Sequence, residues 1–168
     1  MAEARVGSSA IMTPLQNKMV LFFAAGGGAG YVPRFPGTVG TLAAIPLSLA
    51  LNYLANYSLI FAAGILGAAI CCAIWLAGKA SEILAQKDPG VIVIDEIAGF
   101  LLANFTAPPR VSVLAAGFIL FRFFDIAKIF PARRLEKLPG GIGIVLDDIM
   151  AGIYTLAIVQ LLLYGEIL

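Results

Sequence analysis

The chain has 168 residues, of which 61% are hydrophobic and 12% are charged, and its formal net charge is +1. Soluble domains carry about 25% charged residues, so this chain lacks the polar surface of a water-soluble globule and lipid is its expected solvent. Its 11 Lys and Arg residues are offset by 10 acidic residues, which excludes a broad basic face and argues against a nucleic-acid partner.

The N-terminal region is expected to precede the first membrane span. Residues 1–20 are predicted to form a poorly ordered tail of a single membrane-embedded domain that covers residues 1–168. The apolar stretch Met19–Ala25 is too short for a convincing signal peptide and runs into Gly26-Gly27-Gly28. It therefore predicts an interfacial helix rather than a processed leader.

Five hydrophobic stretches come near the roughly 20 residues that a helix needs to cross a bilayer. In chain order they cover residues 38–57, 58–78, 91–107, 111–128 and 147–164. The sequence therefore predicts an all-α, polytopic membrane protein with about four to five hydrophobic helices. The lower number applies if one short segment is re-entrant.

Basic residues are concentrated at one side of the predicted membrane. The links between the first two spans and between the third and fourth are short, and Arg110 is their only basic residue. The other span ends hold nine basic residues, namely Arg5, Lys18, Arg34, Lys79, Lys87, Lys128, Arg133, Arg134 and Lys137. Because cytoplasmic loops carry an excess of Lys and Arg, this side is predicted to be cytoplasmic and the C-terminus to lie outside.

Polar side chains from four predicted spans collect at this cytoplasmic end. They are Arg34, Thr38, Asp95, Glu96, Arg122, Asp125, Lys128, Asp147 and Asp148. A charged group within a span is costly and usually faces the bundle interior at a functional site. Each residue taken alone could instead be a helix cap or an anchor at the interface, and Asp147 stands where an acidic cap suits the helix dipole. Their convergence favours one carboxylate site around which the helices are bundled.

Residue types that are missing narrow the chemistry of this site. The chain has no histidine, which excludes a phosphohistidine intermediate and a histidine base. No arginine stands six positions after Cys71 or Cys72, so the loop of a cysteinyl-phosphate enzyme is absent. Five carboxylates with cations nearby remain, and hard oxygen ligands of this kind suit Mg²⁺.

A metal ion, a carboxylate that orients water and cationic side chains are the parts that phosphoryl transfer needs. Thr38 adds a hydroxyl group at a helix N-terminus, after a Pro36-Gly37 turn that leaves backbone amides free for an anion. The alternative is a transporter or channel that uses intramembrane carboxylates as an ion or proton path. Such a path predicts ionisable residues at several depths, whereas the outer halves of these spans have none.

Four motifs resemble those of the phosphatidylglycerophosphatase A family. They cover residues 30–41 (GYVPRFPGTVGT), 95–99 (DEIAG), 121–128 (FRFFDIAK) and 131–148 (PARRLEKLPGGIGIVLDD). One departure is Ile129, where the family often has proline. The resemblance implies a Mg²⁺-dependent phosphatase of the bacterial inner (cytoplasmic) membrane, with its active site facing the cytoplasm. Its phospholipid substrate would be phosphatidylglycerophosphate, hydrolysed to phosphatidylglycerol and inorganic phosphate.

The resemblance also suggests a role for each polar residue. Asp125 is expected to orient or deprotonate the attacking water, with Thr38 near the terminal phosphate. The residues expected to bind the metal, either directly or by holding one of its ligands, are Asp95, Glu96, Asp147 and Asp148. The expected phosphate-binding residues are Arg34, Arg122, Lys128, Arg133 and Arg134. Open questions are which member of each acidic pair binds metal, whether one or two ions bind, whether a phospho-aspartate forms, and the oligomeric state.

Overall fold

A computed structural model describes residues 12–168, and in this range the regular structure is entirely helical. The helices are α1 (Pro14–Ala24), α2 (Pro36–Tyr57), α3 (Leu59–Leu84), α4 (Ile94–Ala103), α5 (Val111–Ala127), α6 (Ala132–Leu135) and α7 (Gly140–Tyr164), with a 3₁₀ segment at Gly26–Tyr31. The predicted fold class, a helical membrane protein, is confirmed.

Helix α1 is a short helix that begins with a capping box. The Thr13 hydroxyl accepts a hydrogen bond from the Gln16 amide at 3.3 Å, and the Gln16 side chain accepts one from the Thr13 amide at 2.7 Å. This reciprocal pair satisfies two amides that a helix start leaves free. A helix is thus present over most of Met19–Ala25, as predicted.

Part of the segment predicted as an N-terminal tail, residues 1–20, is helical. Residues 14–20 belong to α1, because Val20 and Ala24 are buried against the C-terminal half of α3 and hold the helix on the bundle. Residues 1–11 lie outside the described residues. The three consecutive glycines at 26–28 all have positive φ angles, a conformation that glycine adopts without steric cost. Helix α1 ends just before them.

Three helices among the described residues are long and apolar enough to cross a membrane, namely α2, α3 and α7. Helix α4 has only 10 residues, and its rise of about 15 Å is half the thickness of a bilayer core. Helix α5 has 17 residues, the lower end of the spanning range of roughly 17–25. The predicted third span is therefore corrected to a short helix followed by a turn.

A buried polar network explains why α4 can stop so early. The Asn52 side-chain amide donates to the carbonyl oxygens of Asn104 at 2.8 Å and Ala107 at 3.1 Å, and its oxygen accepts from the Thr106 amide at 2.9 Å. The Asn104 side chain donates to the Ser48 hydroxyl at 3.1 Å. Irregular backbone is tolerated at membrane depth only where protein groups satisfy it, and Asn52 of α2 does so for this turn.

The bundle places five helix ends together at one side. Helix α7 packs against α3, α4 and α5, and α4 lies between α2, α3 and α7. At the far side, Arg110 before α5 donates to the carbonyl oxygen of Leu168 after α7, at 3.2 Å. The starts of α2, α4 and α7 and the ends of α3 and α5 therefore share the opposite side, where the predicted polar cluster lies.

Gly141→Ala is expected to destabilise the protein by about 1–3 kcal/mol, as overpacked sites do. A Cβ atom at position 141 of α7 would overlap the Ile74 carbonyl oxygen of α3. Gly64→Ala is the matched control, since nothing lies within 4 Å of its added Cβ and alanine favours a helix by about 1 kcal/mol over glycine. Thermal unfolding in detergent, followed by circular dichroism, compares the two variants. Equal melting temperatures would contradict the close approach of α3 and α7.

Candidate active site

A cavity of about 190 Å³ opens at the shared helix ends. Its walls come from α2, α4, α5 and α7 and from the α3–α4 loop, and they are largely acidic. The lining residues are Pro36, Gly37, Asp88, Gly90, Ile92, Asp95, Glu96, Asp125, Lys128, Ile144, Asp147 and Asp148. All five carboxylates that the sequence places inside predicted spans thus meet in one cavity.

Three of these carboxylates form a tight group. Each of Asp95, Glu96 and Asp148 offers an oxygen, and these oxygens lie within 4.8 Å of one another. Asp95 and Asp148 are 7% and 4% exposed. Asp95 Oδ1 and Glu96 Oε2 are buried without a hydrogen-bond partner in the described part of the chain. We call these three residues the carboxylate triad.

Salt bridges among residues 12–168 do not balance the negative charges of the carboxylate triad. Among residues 12–168, no salt bridge involves Asp95 or Asp148, and Glu96 has only Arg122, at 3.9 Å. Burying like charges is costly unless a cation compensates them. Unpartnered carboxylate oxygens in this number and spacing therefore fit a divalent cation that prefers oxygen ligands.

The two acidic pairs are used differently, which sequence analysis left open. Asp95 and Glu96 both join the carboxylate triad from the first turn of α4. Asp148 joins it as well, whereas Asp147 Oδ2 lies 2.7 Å from Lys128 Nζ. Because neighbours on a helix point about 100° apart, α7 directs Asp148 toward α4 and Asp147 toward the end of α5.

Arg122 and Asp125 form an ion pair on the last turns of α5. Arg122 Nη1 lies 2.5 Å from Asp125 Oδ2 and 3.9 Å from Glu96 Oε1. The three-residue spacing puts the two side chains on one helix face, as predicted. Gly37 at the start of α2 packs on Glu96 and Arg122, since an added Cβ would run into the Glu96 carboxylate and stand 3.1 Å from Arg122 Nη1.

Lys128 closes another wall of the cavity. It follows α5 with a left-handed backbone (φ 45°), and its Nζ lies 2.7 Å from Asp147 Oδ2 and 3.1 Å from Glu136 Oε1. Burial disfavours the ammonium charge, but the hydrogen bonds and charges of Asp147 and Glu136 outweigh this and raise the pKa of Lys128 above its usual value. The lysine therefore stays protonated, and it can donate to an anion in the cavity.

Five predicted site residues do not line this cavity, and one of them is Arg122, which lies beside it in the ion pair with Asp125. Arg34 is exposed and Thr38 is half-buried on α2. Arg133 Nη2 donates to the Ala127 carbonyl oxygen at 3.5 Å, and the Arg134 guanidinium lies 4.8 Å from the centre of the Phe130 ring. Their roles in binding phosphate, and that of Thr38 in catalysis, stay predictions.

Three residues of the site were missed in the sequence. Glu136 binds Lys128 from the end of α6, and nothing in its spacing from Lys128 signals that contact. Asp88 lines the cavity from the loop before α4, where the Asp88-Pro89-Gly90 turn was an available signal. Gly37 was noted only for its turn, whereas its missing side chain makes room for Glu96 and Arg122.

Four functional groups meet in the cavity or directly beside it. The carboxylate triad can hold a cation, Asp125 can accept a proton or orient water, and Lys128 can donate to an anion. Arg122 keeps Asp125 paired and partly neutralises Glu96. An oxyanion such as a phosphate monoester suits this combination, because a cation and fixed donors stabilise the charge that phosphoryl transfer develops.

A family profile and two similar proteins indicate the same family for this chain. The profile of the family described as phosphatidylglycerophosphatase A matches residues 22–163. Phosphatidylglycerophosphatase A from Escherichia coli (strain K12) is 36% identical over 139 residues, which cover 80% of this chain and 78% of that protein. Phosphatidylglycerophosphatase A from Haemophilus influenzae is 38% identical over 145 residues, which cover 84% of this chain and 86% of that protein.

A third relative carries a different name. A protein from Bacteroides thetaiotaomicron with the provisional name phosphatidylinositol-3-phosphatase is 32% identical over 139 residues, which cover 80% of this chain and 87% of that protein. No solved structure matches the chain significantly.

Proposed function

Because this chain belongs to the phosphatidylglycerophosphatase A family, it is a phosphoric monoester hydrolase, and we propose that its substrate is phosphatidylglycerophosphate. The products are phosphatidylglycerol and inorganic phosphate. The observation that supports this proposal most directly is the cavity at one end of a membrane bundle, in which the carboxylate triad, Asp125 and Lys128 meet. The family to which the chain belongs does not support the alternative function, a membrane transporter or channel.

The metal of the proposed reaction is Mg²⁺, held by Asp95, Glu96 and Asp148. The support is the ligand set itself, because the three carboxylates all offer oxygen ligands and two of their buried oxygens have no hydrogen-bond partner within residues 12–168. When bound there, Mg²⁺ supplies positive charge to the phosphate oxygens during hydrolysis. Asp147 is assigned to Lys128 rather than to the metal, because the two side chains are directly paired.

The proposed hydrolysis is carried by the side chains around the triad. Asp125 accepts a hydrogen bond from a water molecule and takes its proton as the water oxygen attacks phosphorus. The phosphorus–oxygen ester bond then breaks, the leaving glycerol oxygen takes a proton from solvent water to become a hydroxyl group, and Asp125 returns its proton to solvent. Arg122 holds Asp125 in position through their ion pair, and Lys128 donates to a phosphate oxygen in the cavity.

The proposed location is the bacterial inner membrane, with the site facing the cytoplasm. Two observations support this orientation. Lys79 near the end of α3 and Lys128 after α5 lie at the end of the bundle that holds the cavity. Arg110 and the C-terminus lie at the other end, and an excess of basic residues marks the cytoplasmic side.

Release of phosphate from a phosphatidylglycerophosphate lipid tests the proposed function. Protein purified in detergent is expected to release phosphate with Mg²⁺ present and to fall to background after EDTA treatment, because the carboxylate triad repels the phosphate when no cation is bound. Added Mg²⁺ should restore the rate. Phosphatidylinositol-3-phosphate, tested in parallel, is expected to be the poorer substrate. Metal-independent release, or no release beside an active control enzyme, would contradict the proposal.

A further inference from the structure

A second concave surface runs between α2 and α5 on the outside of the bundle. This groove has a volume of about 380 Å³, and every side chain that lines it is apolar. Leu42 and Ile45 form the α2 wall, and five residues between Val111 and Ile119 form the α5 wall. Leu42 and Ile119 are 49% and 65% exposed, so the groove opens toward the surrounding lipid.

The groove leads to the active-site cavity along both walls. On α5, Ala115 and Phe118 of the groove are followed at helical spacing by Arg122 and Asp125, so all four share one face. Phe118 and Arg122 are one helical turn apart, a rise of about 6 Å. The apolar groove therefore ends about one helical turn from the ion pair beside the cavity.

The α2 wall continues in the same direction. Leu42 and Ile45 of the groove lie four and seven residues after Thr38, which puts the three side chains on one face of α2. The residue before Thr38 is Gly37, which packs on Glu96 and Arg122. Thr38 therefore lies on α2 between the cavity, which Gly37 lines, and the groove, which Leu42 lines.

We infer that this groove binds one acyl chain of the phospholipid substrate while its phosphate occupies the cavity. The inference rests on the proposed function. A lipid whose phosphate lies beside Lys128 and the carboxylate triad must direct its chains toward the bilayer, and the groove is the apolar surface that starts at that point. Its volume falls in the range of about 300–1,000 Å³ of ligand sites, and its length from Val111 to Ile119 is about 12 Å.

An acyl chain in this groove has a measurable consequence. Binding energy from a part of the substrate that does not react positions the part that does. A side chain that fills the groove should therefore lower kcat/KM for long-chain lipids and leave a short-chain lipid unaffected. A residue needed only for folding would lower both rates together.

Ala115→Trp is the variant that fills the groove, because Ala115 is a small, exposed residue on the α5 wall. Ala68→Trp is the matched control, since Ala68 is exposed on α3 away from both surfaces. The probes are dioleoyl phosphatidylglycerophosphate in micelles and water-soluble dihexanoyl phosphatidylglycerophosphate. Ala115→Trp is expected to lower kcat/KM about tenfold on the dioleoyl lipid and less than about twofold on the dihexanoyl lipid. Ala68→Trp should leave both values unchanged.

Several results would overturn the inference. One is an unchanged kcat/KM of Ala115→Trp on the dioleoyl lipid. Another is an equal loss of kcat/KM on both lipids, and if the oligomeric mass also changes, the groove is a contact between copies of the chain. If Ala115→Trp does not fold, Leu42→Trp fills the groove from the other wall and is judged by the same ratio. Inactivity of the wild-type protein on both lipids would instead overturn the proposed function itself.

Discussion

Asp148→Asn and Asp95→Asn are each expected to lower phosphate release by about a thousandfold or more. Each substitution replaces a charged oxygen ligand in a group of three carboxylates whose oxygens lie within 4.8 Å. An amide keeps the shape of the side chain but attracts a divalent cation far less. Initial rates over a range of Mg²⁺ concentrations measure the effect, and calorimetric titration with Mn²⁺ measures metal binding without turnover.

Two controls separate lost chemistry from lost folding. Glu82→Gln neutralises an exposed acid whose one salt bridge among residues 12–168 is with Lys79, and it should keep the wild-type rate. In EDTA, Asp148→Asn should unfold at the same temperature as the wild-type protein or at a higher one, because it removes repulsion among buried carboxylates. Wild-type rates in both aspartate variants would show that the metal ligands lie elsewhere.

Lys128→Gln is expected to lower kcat/KM about a hundredfold, the size of effect seen when one fixed donor to a reacting oxyanion is removed. Lys128 lines the cavity, and Asp147 and Glu136 hold its ammonium group in place. The glutamine amide can still donate to Asp147, which limits the damage to folding. Steady-state kinetics on phosphatidylglycerophosphate, with circular dichroism of each variant, provide the measurement.

Arg134→Gln is the matched comparison for Lys128→Gln, since both residues come from the same basic stretch of sequence. Arg134 lies over the Phe130 ring and does not line the cavity, so its loss should change kcat/KM less than about threefold. A loss as large as that of Lys128→Gln would mean that the α6 loop reaches the phosphate in the complex. The sequence-based role of Arg134 would then be correct and the assignment of Lys128 alone to this wall would be wrong.

Composition and helical spacing predicted much of the fold and part of the site. Scarcity of charge indicated a helical membrane protein, and the helices of the structure agree. The pairing of Arg122 with Asp125 also follows from sequence, because residues three apart in a helix share a face whatever surrounds them. The length of α4 could not be predicted in this way. Phe105 and Ala107 extend its apolar stretch past Ala103, and hydrogen bonds from Asn52 on another helix stabilise the turn that ends it.

The carboxylates show most clearly which features the sequence predicts and which depend on the tertiary structure. The sequence by itself determined that five acids stand inside apolar segments, near the same end, with no histidine to share their chemistry. Only the tertiary structure decided that Asp148 joins Asp95 and Glu96 while Asp147 pairs with Lys128. The physical reason is that a helix fixes the angle between neighbouring side chains but not its own rotation in the bundle. That rotation is set by packing, at contacts such as Gly141 against α3 and Gly37 against Arg122.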